Sequence, residues 1–148
     1  SNYDGQLGIG DGCKIDRWSP IRLLFIPDGA VEAVAAGAEH SLLLRSDGRV
    51  LGCGLNACGQ LGTGNATEPK REFAPATAIR ARVEAVAAGG LHSLAILRSG
   101  DVIAWGDNSS AQVGPSLASV TRRLDADPRA LLESLGLKDL TEEDVKAM

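Results

Sequence analysis

Aromatic side chains are scarce: two Phe, two Trp and one Tyr make up 3% of the 148 residues, which leaves little to line a pocket with rings. Cysteine is scarcer still, and Cys13, Cys53 and Cys58 are odd in number with no paired C-x-x-C spacing. That pattern excludes a disulfide framework and a zinc grip, and it fits free thiols in a reducing compartment. No apolar run approaches the roughly 18 residues of a membrane helix, so no membrane partner is expected. Basic residues are not in excess either. Residues 1–114 hold 10 Lys and Arg against 12 Asp and Glu, and residues 115–148 hold 5 against 7, so each part carries −2. Without a positive field to collect phosphates, direct nucleic-acid binding is not expected. With no secretory or transit pattern, the chain reads as intracellular, in cytoplasm or nucleus.

Glycine, by contrast, is abundant: 18 of 148 residues, against about 7% in ordinary chains, which implies many tight turns. They recur with a period. Val31-Glu-Ala-Val-Ala-Ala-Gly37 returns letter for letter as Val83 to Gly89, and His40-Ser41-Leu42 returns as His92-Ser93-Leu94. At that shift of 52, segments 31–62 and 83–114 share 16 identities in 32 positions, far above chance, so the chain holds a duplication. A second signature marks the boundaries. Asn2-Tyr-Asp-Gly5-Gln6-Leu7-Gly8-Ile-Gly10 matches Asn56-Ala-Cys-Gly59-Gln60-Leu61-Gly62-Thr-Gly64, with a degraded third copy from Asn108 through Ala111-Gln112-Val113-Gly114. The repeat implies an end of a preceding unit at 1–10 and two whole units at about 11–62 and 63–114.

Short strands are expected within each unit. Ser41 to Arg45 and Val50 to Cys53 flank the hairpin signal Ser46-Asp47-Gly48, and Leu94 to Leu97 and Val102 to Trp105 flank Ser99-Gly100. Val31 to Ala36 is rich in helix formers, but both copies stop at glycine after six residues, too few to hold a helix unaided. Strand is the expectation there. A unit of about 52 residues with roughly four strands has the size of a propeller blade, which must stack on neighbours to bury its faces.

Residues 1–114 resemble the regulator of chromosome condensation repeat family, whose pattern runs V-x-x-V-A-A-G-x-x-H-S-L, then D-G-x-V, then W-G-x-N-x-x-G-Q-L-G-x-G. Departures are Cys53 where the family has tryptophan, kept as Trp105, and Ala111 and Val113 at the third boundary. The resemblance implies an all-β fold of about two complete propeller blades plus partial flanks, part of a seven-bladed ring in a larger chain or complex. After Gly114 the pattern changes to a short α-helical tail over 115–148. Leu117, Val120 and Leu124 lie at helical spacing, Asp127-Pro128 reads as a helix start, and Leu131, Leu132 and Leu135 share a face before Gly136.

No catalytic, cofactor-binding or metal residue is assigned. His40 and His92 occupy the same place in each unit, as groups that hold a turn would, and each is expected to hydrogen-bond blade backbone. Gly8-Ile-Gly10 and Gly62-Thr-Gly64 lack the strand, helix and Gly-Lys-Ser/Thr ending of phosphate loops, so turn geometry accounts for them. Asn65-Ala-Thr67 and Asn108-Ser-Ser110 fit a glycosylation pattern by chance, and the acidic residues of the tail read as a solvated helix face. The expected function is a non-catalytic protein-interaction or scaffold module. The alternative that the resemblance implies is guanine-nucleotide exchange on a small GTPase, although only two residues of spacing difference between the units leave no obvious wedge insertion. Capping an enzyme's active site with a propeller face is a third reading.

Overall fold

A computed structural model of the chain describes residues 1–10, 12, 14–23, 26 and 29–114. Among the described residues seven strands are present, all within the unit Ser1–Val113. Strands β1 (Val31–Ala36), β2 (His40–Arg45), β3 (Val50–Asn56) and β4 (Thr67–Pro75) form an antiparallel sheet in the order β1-β2-β3-β4. β5 (Val83–Ala88), β6 (His92–Leu97) and β7 (Val102–Gly106) form a second antiparallel sheet in the order β5-β6-β7. The expected blade-type sheets are seen, and the helical expectation for 115–148 falls outside the described residues.

The duplication extends to fine geometry. β1 skips a register step between Val31 and Ala33, and β5 skips it between Val83 and Ala85, so the same bulge sits at Glu32 and Glu84. Pairing with β2 and β6 overrides the helical propensity of Val-Glu-Ala-Val-Ala-Ala. The hairpin after β2 turns at Gly48 with φ 81°, its N–H donating to Arg45 O at 2.9 Å. Gly100, at φ 93°, does the same toward Leu97 O at 2.9 Å. A positive φ at this turn is the reason each copy has glycine there.

β4 is the strand that patterning misses. Its nine residues include Pro69, Pro75 and four charged side chains, a composition tolerated at a sheet edge but poor as a strand signal. The first sheet therefore runs from 31 to 75 and crosses Gly62, so the sheet and the sequence repeat have different phases.

At β2 and β3 both faces of the first sheet are covered, which explains the unbroken run Leu42-Leu43-Leu44. Leu42, Leu44 and Val50 face the second sheet and pack with Val83, Ala95 and Ala76. Leu43, Leu51, Cys53 and Phe73 face the other way, with Leu23 and Ile26 against them. Between the sheets, Val83 N–H donates to Gly48 O at 2.9 Å and Arg82 to Asp47 O at 3.1 Å. Among the described residues no helix is long and apolar enough to cross a membrane.

Candidate functional site

The polar groups of each repeat signature fold back on their own loop, and the second signature lies at the seam between the two sheets. Each Asn of N-x-x-G-Q-L-G uses its carboxamide oxygen to accept the N–H five residues on: Asn2 from Leu7 at 3.1 Å, Asn56 from Leu61 at 3.0 Å and Asn108 from Val113 at 3.0 Å. Each Gln accepts the N–H two residues back, from Asp4 at 3.0 Å, Cys58 at 2.9 Å and Ser110 at 2.9 Å. These are local bonds that let side chains stand in for secondary structure in a tight loop. The fourth residue of the signature closes a turn with positive φ, at Gly5 (83°), Gly59 (74°) and Ala111 (60°).

Ala111 is the described non-glycine residue with positive φ, and the degraded third signature still forms its turn. Left-handed backbone costs an alanine about 1–2 kcal/mol, partly offset by the roughly 0.5–1 kcal/mol of extra chain entropy a glycine loses. Ala111→Gly should therefore stabilise the turn by about 0.5 kcal/mol. Slower amide exchange at Val113, whose N–H the turn protects, would show it; faster exchange would contradict it.

The loop so shaped presents a backbone carbonyl to the next sheet. Gln60 O accepts from Ser93 Oγ at 2.8 Å and from Trp105 Nε1 at 2.8 Å. One unit earlier, Gln6 O accepts from Ser41 Oγ at 2.8 Å and from Cys53 Sγ at 3.4 Å. Cys53 thus takes over the donor role of the tryptophan it replaces, with a weaker donor and a smaller side chain. Sequence comparison showed the departure at Cys53 but not this compensation, because the shared acceptor lies 47 residues away.

His40 completes the seam, though not as expected. Its Nε2 lies 2.9 Å from the side-chain oxygen of Ser93 in the second sheet, rather than bonding backbone in its own sheet. Ser93 Oγ in turn lies 2.8 Å from Gln60 O, so imidazole, hydroxyl and carbonyl form one chain across the seam. The ring lies over Gly37, where an added Cβ would come within 2.5 Å of Cε1, so A-A-G-x-x-H needs its glycine to seat the imidazole. Burial holds the His40 imidazole below its ordinary pKa; the Gly90 carbonyl opposes this, and His92 adds a weaker lowering. His92 lies over Gly89 in the same way but is only half-buried and makes no side-chain hydrogen bond among the described residues.

The remaining chemical groups are dispersed. Among the described residues no three His, Cys, Asp or Glu side chains are placed to hold a metal. Cys53 is fully buried and burial pushes its thiol up to about 12, whereas Cys58 is exposed on the second signature loop. A disulfide-exchange reagent at mildly alkaline pH should label Cys58 in the folded protein and reach Cys53 only on unfolding. Peptide mass spectrometry reads this directly, and equal labelling would contradict the burial. Cys13 lies outside the described residues.

Beside the seam, Cys58, Gly59, Gly62, Ile79, Ile103 and Trp105 line a cleft of about 400 Å³. Elsewhere Trp18, Ile15 and Ile21 stand 95%, 63% and 47% exposed on the segment between the first signature and β1.

This arrangement is shared with known proteins. The profile of the Regulator of chromosome condensation (RCC1) repeat matches residues 1–44 and 47–96, and a second profile of that repeat matches 31–60 and 83–112. The bovine secretion-regulating guanine nucleotide exchange factor is 37% identical over 125 residues, covering 83% of this chain and 24% of that protein. Human probable E3 ubiquitin-protein ligase HERC6 is 42% identical over 121 residues, covering 76% of this chain and 11% of that protein. In the crystal structure of Kap60 bound to yeast RCC1 (Prp20), a chain superposes with a TM-score of 0.64 at 26% identity, covering 76% of this chain and 28% of that one. The chain thus spans about a quarter or less of the length of these relatives. Since the repeat profile covers well over half of the sequence, and the sheets and signature loops recur in both units, the chain belongs to the regulator of chromosome condensation repeat family.

Proposed function

We propose that this chain is a non-catalytic protein-interaction or scaffold module, acting inside the cell as part of a larger assembly. The observation that carries this reading is the commitment of His40 and Cys53 to the packing of the repeat. The buried imidazole of His40 is tied to Ser93, and the thiol of Cys53 is buried against Gln6 O. A general base or nucleophile must reach a substrate, and these two groups face protein on every side. Loops and sheet edges remain as the working surface, with exposed aromatic and aliphatic side chains of the kind that anchor protein interfaces. Affinity purification of the intact protein should recover a protein partner stoichiometrically, and His40→Gln, if it folds, should leave that recovery unchanged. Recovery of a turnover activity lost in that variant would overturn the reading.

A second reading, exchange of guanine nucleotide on a small GTPase, is favoured by one observation, the 37% identity to a bovine protein named for that activity. Release of a fluorescent guanine nucleotide from a panel of small GTPases, measured with and without the protein, tests it. Acceleration of any one of them would favour exchange over scaffolding.

A further inference from the structure

The hairpin after β2 gathers positive charge from separate stretches of the chain. Arg45 Nη2 lies 3.1 Å and Arg49 Nε 3.8 Å from Asp47 Oδ2, while Asp47 Oδ1 accepts the Arg49 backbone N–H at 3.1 Å. Arg82, which precedes β5, donates from Nη1 to Asp47 O at 3.1 Å, and Arg98, which follows β6, donates from Nη2 to Ser46 O at 3.5 Å. Four guanidinium groups thus reach two consecutive residues, Ser46 and Asp47. Arg45 and Arg49 share the Asp47 carboxylate. Arg82 and Arg98 meet backbone carbonyls, and among the described residues neither has a carboxylate within ion-pair distance.

The repeat does not account for this clustering. At the shift of 52, Arg45 and Arg49 correspond to Leu97 and Asp101, and Arg80, Arg82 and Arg98 correspond to Asp28, Ala30 and Ser46. A side chain that served the blade itself would recur at its position, as His40 and Ser41 do; none of these arginines recurs. Like charges brought together repel, so the blade gains nothing from collecting them at one turn. Beside the turn, between the β2–β3 hairpin and the connection from β4 to β5, is a cleft of about 410 Å³. Arg49, Arg80 and Arg82 line it together with Val50, Ala76 and Ile79, and no acidic side chain does. Its lining comes from 48–50 and 75–82, between the two sheets.

We propose that this cleft is a docking site for an acidic peptide segment of a partner protein, its carboxylates paired with Arg80 and Arg82 in the cleft and Arg98 beside it, and an apolar side chain set against Val50, Ala76 and Ile79. Charge complementarity selects the occupant. Guanidinium forks donate to carboxylates two bonds at a time, and the apolar lining between them suits a peptide, which carries side chains of both kinds, rather than the evenly charged backbone of a nucleic acid. The inference rests on the interaction-module reading above and adds the chemistry of the partner.

Fluorescence anisotropy of the intact protein with a short labelled peptide of alternating Glu and Leu tests it. The peptide should bind, more weakly as salt is raised, and its Lys-Leu counterpart should not. Arg80→Glu, at an exposed position, should leave the melt unaltered and weaken binding about tenfold or more, whereas Arg22→Glu, an equal change of charge outside the cleft, should leave the affinity as it is. No binding of the Glu-Leu peptide, equal binding of the Lys-Leu peptide, or an affinity that Arg80→Glu does not change would overturn the proposal. So would a duplex oligonucleotide that binds more tightly than the peptide and is lost in Arg80→Glu, which would give the site to nucleic acid. Affinity purification separates this site from the broader reading: a partner recovered equally by the wild type and by Arg80→Glu would remove the site and leave the interaction module standing.

Discussion

Leu44→Ala is expected to destabilise the protein by about 2–5 kcal/mol, whereas Ile96→Ala, at the same place in the second copy, should cost less than about 1 kcal/mol. Position in the repeat is identical, at a shift of 52, but the surroundings are not. Leu44 is 0% exposed in the cluster between the sheets, and Ile96 is 44% exposed on the outer face of the second sheet. Truncating a fully packed leucine forfeits its transfer energy and leaves a cavity that a stacked sheet cannot close. An exposed isoleucine has no cavity to leave. Urea unfolding of the two variants side by side gives the comparison, and equal losses would mean that the outer face of β6 is covered in solution.

The second large effect is at the seam. His40→Ala should cost about 2–4 kcal/mol, the sum of a buried hydrogen bond lost and a ring-sized void above Gly37. His92→Ala should cost less than half of that, because its ring is half-buried and donates no hydrogen bond among the described residues. A pH dependence accompanies it. The unfolded chain takes up a proton on this imidazole near pH 6.5, while burial keeps the folded form neutral to a lower pH. Between those two values the unfolded state binds more protons, so stability falls as pH falls, by up to about 1.4 kcal/mol per pH unit. Above pH 6.5 neither state is protonated there and the slope from this group vanishes. His40→Gln should flatten the stability profile in the window just below pH 6.5 relative to the wild type, the carboxylates being common to both. Parallel profiles would place the His40 ring in solvent.

Much of this was legible because repetition amplifies weak signals. A single Val-Glu-Ala-Val-Ala-Ala reads as readily helical as extended, but two copies, each ending at glycine after six residues, favour strand, and both are strands. The Asp47-Gly48 and Ser99-Gly100 turns were equally plain, since backbone with positive φ leaves few residue choices. β4 was not legible: its only apolar anchor is Phe73, its prolines argue against a strand, and what makes it one is the open edge of β3. For the same reason the exposure of Trp18 could not be read from its neighbours in sequence.

The sequence by itself determined the period, the blade-type sheets and the family, because these rest on local constraints repeated at fixed spacing: glycine where φ is positive, Asn and Gln where a loop must satisfy its own backbone, alternating apolar residues where a strand is covered. Only the tertiary structure decided which copy of each position is buried and which donor meets which acceptor. Val31 and Val83 are the same letter in the same motif, yet one is 44% exposed and the other 1%, since only the second has a sheet stacked upon it. His40 is bound to Ser93, 53 residues away, and Cys53 to Gln6, 47 residues away. Such pairings depend on how one sheet lies on the next, and packing geometry of that kind is a property of the stacked sheets rather than of any segment read alone.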